Sequence, residues 1–242
     1  MLWTDEGVVL AVRRHGESAA IASVFTRHHG RHAGLVRGGF SRRSRPVYQQ
    51  GNVLQVTWRA RLAEHLGALS GELKTPLAAR LMADPGRLGG LASACALLET
   101  TLPERDPHPQ LYDVLGDFLE QLARDRRWLE AYVRFELALL AELGFGLDLS
   151  RCAVSGTSED LVYVSPRSGR AVSRGAAGVY ADRLLPLPPF LLGLEPSDAA
   201  QLGAGLRLTG TFLRRHLFDA SDRALPEARD RLLARLAHSE KP

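Results

Sequence analysis

The hydrophobic pattern of this chain changes period once, near Pro76, and that change limits the folds open to it. Before Pro76, short apolar runs alternate with turn residues; after it, leucines recur at helical spacing. Side chains on a strand point to opposite faces in turn, a period of two, whereas one face of a helix repeats about every 3.6 residues. The chain is therefore read as α+β, with strands first and helices after.

Val8–Val12, Ile21–Thr26 and Ala33–Val36 are β-branched or apolar runs, stopped by Arg13–Glu17, by His28-His29-Gly30 and by Gly38-Gly39. Val53, Gln55 and Thr57 alternate with Leu54, Val56 and Trp58, and His65–Leu73 supplies a fifth run. Five short strands with tight turns suit a small closed barrel. An OB-fold-like β-barrel is expected over residues 1–76, with an SH3-like barrel as the rival. The remainder, 77–242, reads as a helical domain. Helices are predicted from Leu77, over Leu88–Leu102, Leu111–Leu122 and Trp128–Leu143, over 198–218 with Ser197 as cap, and over Glu227–His238. Their apolar faces are expected to form a helical bundle. Residues 145–182 return to strand character, with Leu161–Val164 pairing back on Ala171-Val172, and form a small insert.

Charge is unevenly placed. Residues 1–78 carry 11 Lys and Arg against 5 Asp and Glu, a net +6, while the rest carries 20 against 22, a net −2. A basic patch of this kind attracts polyanions. Its densest part is Arg37-Gly-Gly-Phe-Ser-Arg42-Arg43-Ser-Arg45, on the connection between two predicted strands. Arginine suits phosphate because its planar fork donates two parallel hydrogen bonds. Arg27, Arg31, Arg59 and Arg61 lie on or beside neighbouring strands and widen the patch. Phe40, Tyr48 and Trp58 are the nearby aromatics, too few for base readout to dominate over backbone contact.

Two other clusters draw notice. His28, His29 and His32 fall within five residues, but no Cys, Asp or Glu cluster supports a metal site there. Cys152-Ala-Val-Ser155 and Ser173-Arg-Gly-Ala176 keep the outline of two Cys-x2-Cys pairs at zinc-ribbon spacing, with one of four cysteines present. One thiolate builds no tetrahedral zinc site, so no cofactor is expected and packing must hold the insert. Cys95 and Cys152 form no disulfide framework, and the first residues lack a signal peptide's basic start and apolar run. A cytoplasmic, nucleoid-associated protein is expected. Phosphate-binding loops, dinucleotide fingerprints, His-Glu-x-x-His and Gly-x-Ser-x-Gly are not found, and no enzyme activity is expected.

Several stretches resemble the bacterial RecO family of recombination mediators: Glu6–Leu10, Gly16-Glu17-Ser18, Val24–Arg31, Gly34–Gly39, Ser41–Arg45, Gly51-Asn52, Glu136–Gly144, Leu147–Leu149, Cys152, and Arg214–Leu217 through Leu225-Pro226 to Arg229 and Leu232. The similarity runs over essentially the whole chain. It implies an N-terminal OB-fold that binds single- and double-stranded DNA, and annealing of complementary strands. It also implies docking on the C-terminal tail of single-strand-binding protein, partnership with RecR, and help in loading the recombinase onto coated strands during recombinational repair. The DNA-binding surface it implies is Arg27, Arg31, Arg37, Arg42, Arg43, Arg45, Arg59 and Arg61. Many family members carry four ribbon cysteines, so the family zinc site reads as lost here. Arg207, Arg214 and Arg215 are candidates for the rim of the tail-docking surface. The rival readings are a general RNA-binding barrel of translation or ribosome assembly, and a hydrolase or transferase housed in the helices.

Overall fold

A computed structural model describes residues 1–62, 64–124, 127–194, 197–219 and 222–239, the side chains of 237–239 excepted. Five strands, β1 (Leu2–His15), β2 (Ala19–Thr26), β3 (Gly30–Val36), β4 (Val53–Arg59) and β5 (Ala68–Thr75), close a barrel in the order β1-β2-β3-β5-β4. All neighbours are antiparallel except β3 and β5, which meet in parallel at Leu35 and Ala68. This is the Greek-key closure of an OB-fold, a partly open barrel whose β3–β5 seam is joined at that one pair. Val9, Val24, Leu54, Val56 and Trp58 fill its interior. Gly67, at φ +68°, brings the β4–β5 turn against the Trp58 indole, where a Cβ would lie 2.5 Å from the ring. That indole donates to the carbonyls of Leu66, at 3.0 Å, and Ala33, at 3.2 Å.

β1 begins six residues before the sequence pattern indicated. Thr4, Asp5 and Glu6 lie outside the Val8–Val12 run, yet they pair in register with β4, Trp3 facing Trp58 and Asp5 facing Val56. The alternation is real but partly hidden. Leu2, Thr4 and Glu6 are exposed, whereas Trp3 and Asp5 are half-buried and Gly7 is buried.

α1 (Leu77–Arg80) leads into α2 (Pro85–Thr101) and α3 (Pro109–Arg124). Asp84 caps α2, its carboxylate accepting from the amides of Gly86 and Arg87, and Pro85 pre-sets the first turn. α4 (Trp128–Glu142) follows, then β6 (Leu161–Val164), β7 (Ala171–Ser173), α5 (Arg174–Ala177), β8 (Leu185–Pro186), α6 (Ala199–Leu213) and α7 (Glu227–Ser239). A π-helical turn, Arg214–Phe218, extends α6. The cap of α6 is Asp198, not Ser197: Asp198 accepts from the Gln201 amide at 2.7 Å, while the Ser197 hydroxyl is spent on Glu130.

The chain forms two compact units, Met1–Asp125 with Pro226–Pro242, and Arg126–Leu225. The helices are divided between them. In the first unit α2 lies against β1, with the buried Cys95 thiol 3.8 Å from the Val9 carbonyl and Leu91 filling the space beside Gly51. On α2, Leu91, Ala94, Cys95, Leu97 and Leu98 are all buried, because barrel and helices cover it on different sides. Tyr112 of α3 meets Phe25 of β2 edge to face at 5.5 Å. In the second unit α4 packs on α6 and the small sheet runs β7-β6-β8. The expected hairpin of β6 and β7 is present, and β8 adds a third strand from a proline-rich stretch that carried no strand signal.

Candidate nucleic-acid interface

The cationic candidates fall into two groups. Arg37, Arg42, Arg43, Arg45, Arg59 and Arg61 are exposed, and among the described residues none pairs with a carboxylate. Arg27 and Arg31 are engaged. Arg27 pairs with Asp113 of α3. The Arg31 side chain, 15% exposed, reaches the Leu102 carbonyl at 2.9 Å, Glu104 at 3.3 Å and Glu99 at 3.7 Å. Glu99 also accepts from the Ser23 hydroxyl at 2.5 Å. Arg31 thus ties the barrel to α2 and to the chain after it, and has little left for a ligand.

The six unpaired arginines are held by the barrel. Arg37 follows β3 and Arg59 ends β4. Both line one groove on the outer barrel face, of about 450 Å³, with Leu2, Ser44, Thr57 and Ser70. Arg42, Arg43 and Arg45 stand on the β3–β4 connection beside it. Serines fold that connection on itself: the Ser44 amide donates to the Ser41 hydroxyl, which in turn donates to the Ser44 hydroxyl. Asn52, 1% exposed, pins its far end by donating to the carbonyls of Pro46 and Val47 and accepting from the Ala78 amide. Exposed charges are thereby mounted on a fixed base. The groove and loop can hold a polyanion by charge-assisted hydrogen bonds without first breaking an internal ion pair.

Sequence reading misses Arg14 here. It lies at the end of β1, and its guanidinium sits 5.5 Å over the Phe40 ring, joining the same patch. No local motif marks it; the juxtaposition comes from the β1–β2 turn reaching the loop, where the Phe40 amide donates to the Ser18 carbonyl. The expected aromatics fare differently. Tyr48 and Trp58 are 8% and 1% exposed and belong to the barrel core, leaving the half-buried Phe40 on the loop.

The three histidines divide between a carboxylate and the aromatic rings. His28 and His29 each place a ring nitrogen 3.2 Å from Asp5, and His32 packs edge-on to Trp3 and Trp58. Burial of Asp5 opposes its charge, yet hydrogen bonds from the His28 amide and the two imidazoles outweigh this and hold its carboxyl below the usual range. Among the described residues no group of three or more His, Cys, Asp or Glu side chains is arranged to hold a metal ion.

In the insert, Ser155 and Ser173 do come together on Cys152. The thiol sulfur accepts from the Ser155 amide at 3.4 Å, and from the Ser173 amide and hydroxyl at 3.3 and 3.4 Å. Burial pushes this thiol up, but those hydrogen bonds prevail and bring it down to about 6. One sulfur and two hydroxyls are a poor donor set for zinc, which prefers Cys and His, so the residues present do not fit the family's zinc. Arg207, Arg214 and Arg215 are exposed in the second unit, Arg215 donating to the Pro166 carbonyl at 2.5 Å. No described helix is long and apolar enough to cross a membrane.

A closed five-stranded OB barrel with a cationic groove and loop, followed by helices and a small sheet, defines the class. The model of the Recombination protein O N terminal matches residues 1–76, and that of the Recombination protein O C terminal matches residues 82–226. A DNA repair protein RecO of Cereibacter sphaeroides is 54% identical over 242 residues, covering 99% of this chain and 100% of the relative. Those of Rhodospirillum centenum and Rhodospirillum rubrum are 52% and 50% identical, over 97% of this chain and 94% and 96% of their own lengths. The chain belongs to the RecO family of DNA repair proteins.

Proposed function

We propose that this protein is a recombination mediator. It binds single- and double-stranded DNA through the groove of Arg37 and Arg59 and the loop of Arg42, Arg43 and Arg45. It anneals complementary strands and helps load the recombinase onto strands coated with single-strand-binding protein, docking on that protein's C-terminal tail and working with RecR. The observation that carries the reading is the concentration of carboxylate-free arginines on one groove and its flanking loop, in a chain whose relatives are named for DNA repair.

The mechanism is electrostatic. Two strands approaching each other bring two rows of phosphates together. Guanidinium groups that bind one strand lower its charge density and release its counterions, which reduces the repulsion opposing pairing. Because these interactions reach the backbone, they tolerate any sequence. No step makes or breaks a covalent bond, and no nucleotide or metal takes part.

The test is annealing of complementary oligonucleotides with and without a coat of single-strand-binding protein. Annealing of both naked and coated strands, lost in the Arg42→Ala/Arg43→Ala/Arg45→Ala variant, is expected. Tight binding to RNA with no annealing of DNA would replace this reading with the translation or ribosome-assembly one.

A further inference from the structure

At one end of the barrel the rings of His29, Trp3 and Trp58 form a ladder. His29 stacks on Trp3 at 4.1 Å and 8°, and Trp3 stacks on Trp58 at 5.8 Å and 16°. They line a cleft of about 240 Å³ with His28, His32 and Arg105. That is below the roughly 300–1,000 Å³ of pockets for drug-sized ligands, and suits one ring system. Two buried polar atoms among its lining residues have no partner among the described residues, His32 Nε2 and Arg105 Nε. His32 is 5% exposed, and its Nδ1 faces the His29 carbonyl at 3.4 Å. Burial disfavours its charged form, so the neutral ring donates through Nδ1 and keeps Nε2 as an acceptor. Arg105 Nε carries a hydrogen and is a donor.

The backbone is shaped to keep this arrangement. Arg105 has φ +65°, a conformation costly for a side-chain-bearing residue. Its guanidinium is fixed by the carbonyls of Glu64 and His65, at 3.2 and 3.1 Å. Gly30, at φ +65°, lets the segment after α2 approach so closely that a Cβ would lie 2.0 Å from the Asp106 carbonyl oxygen. Asp5 orients the His28 and His29 imidazoles, a ring nitrogen of each lying 3.2 Å from its carboxylate. Leu2 lines the arginine groove while its neighbour Trp3 lines the cleft, so the two sites adjoin across one strand.

We propose that this cleft takes a single unpaired DNA base, stacked on the His29 end of the ladder with its pairing edge toward His32 Nε2 and Arg105 Nε. This deepens the proposed function and rests on it. A pairing edge offers an N–H beside an acceptor in every base, which complements one acceptor and one donor. In a duplex that edge is occupied, so the cleft favours single strands where the arginine groove does not.

The experiment compares a short single-stranded oligonucleotide, the same strand with several abasic sugars, and its duplex, for the full chain and for Trp3→Ala, Trp3→Phe and His29→Ala. Base stacking on an aromatic side chain is worth enough that His29→Ala, which removes the stacking ring, and Trp3→Ala, which removes the ring that positions it, should weaken binding to the intact strand by roughly 5- to 100-fold. Binding to the abasic strand and to the duplex should stay unchanged, which also shows that the variants are folded, and Trp3→Phe should retain most of the affinity. Equal losses on all three ligands, or none on the intact strand, would overturn the proposal while leaving the arginine reading intact. Failure of the unaltered chain to bind any of the three would remove both. Displacement of the strand by free deoxynucleoside monophosphate at the same base concentration would assign the cleft to a nucleotide and also overturn it.

Discussion

Arg31 and Arg42 are eleven residues apart and stand in opposite surroundings, one paired and the other exposed. Arg31 is surrounded by Glu99, Glu104 and a carbonyl, so Arg31→Ala leaves Glu99, whose side chain is 14% exposed, with Arg13 in place of two cations. It should cost about 1–3 kcal/mol of stability in urea unfolding, with DNA affinity unchanged. Arg42→Ala should do the reverse, leaving the unfolding midpoint in place and weakening DNA binding. The two cysteines differ as sharply. Burial and the nearby Glu99 push the Cys95 thiol up to about 12, so it stays neutral. Cys152 is held at about 6 by hydrogen bonds that favour its thiolate. A depressed value in the folded state gives stabilisation that is full above the unfolded value of 9, declines below it and is gone once the pH falls under about 6. The melting temperature of the protein minus that of Cys152→Ala should therefore rise between pH 6 and pH 9; a flat difference would contradict the thiolate. Sequence reading finds both the arginines and the ribbon outline, because residue type carries that information. It cannot separate Arg31 from Arg42, because the carboxylates that claim Arg31 come from about 70 residues away, on α2 and just after it.

At the scale of elements, the strands and helices are legible in the sequence wherever an apolar period is unbroken. They are missed where polar residues sit on a regular backbone, as in Leu2–Gly7, or where a two-residue strand carries no period at all, as in Leu185–Pro186. Packing partners are less legible than the elements themselves. A leucine face predicts burial but not what buries it, and α2 faces the barrel as well as helices. The α4–α6 interface has a polar centre of its own: Thr209 donates to Glu136, and both residues are 0% exposed. Thr209→Val keeps the shape and removes the hydroxyl, leaving a buried carboxylate with one hydrogen bond fewer. A loss of about 1–3 kcal/mol is expected in denaturant unfolding, with binding to DNA unaltered, since the substitution lies outside the barrel.

For the whole molecule, the decisive quantity is where charge lies. The net +4 of the chain conceals a +6 N-terminal stretch. Among the described residues, seven of its ten arginines stand without a carboxylate, on the groove, the loop, the neighbouring turn and at Arg14. Binding should therefore fall steeply with salt. Replacing Arg42, Arg43 and Arg45 with Ala should flatten the log–log slope by about two to three, at roughly 0.7–0.9 for each phosphate no longer neutralised. The weakening should be alike for unrelated sequences. A slope that does not move would take the loop out of the interface. The change of period at Pro76 matches the gap between the two family models, at 76 and 82, yet compactness groups the chain otherwise, because long-range packing is not written in local periodicity.

Leu232 of α7 packs over Gly89 of α2, and Arg229 is 2% exposed. The barrel unit is thus completed by residues synthesised after the whole second unit, some hundred positions beyond the end of its first stretch. A nascent chain paused anywhere before α7 leaves the α7-facing side of α2 uncovered, so the arginine groove exists early while its support is finished late. Fragments ending near residue 225 should bind chaperones and proteases where the longer chain resists them.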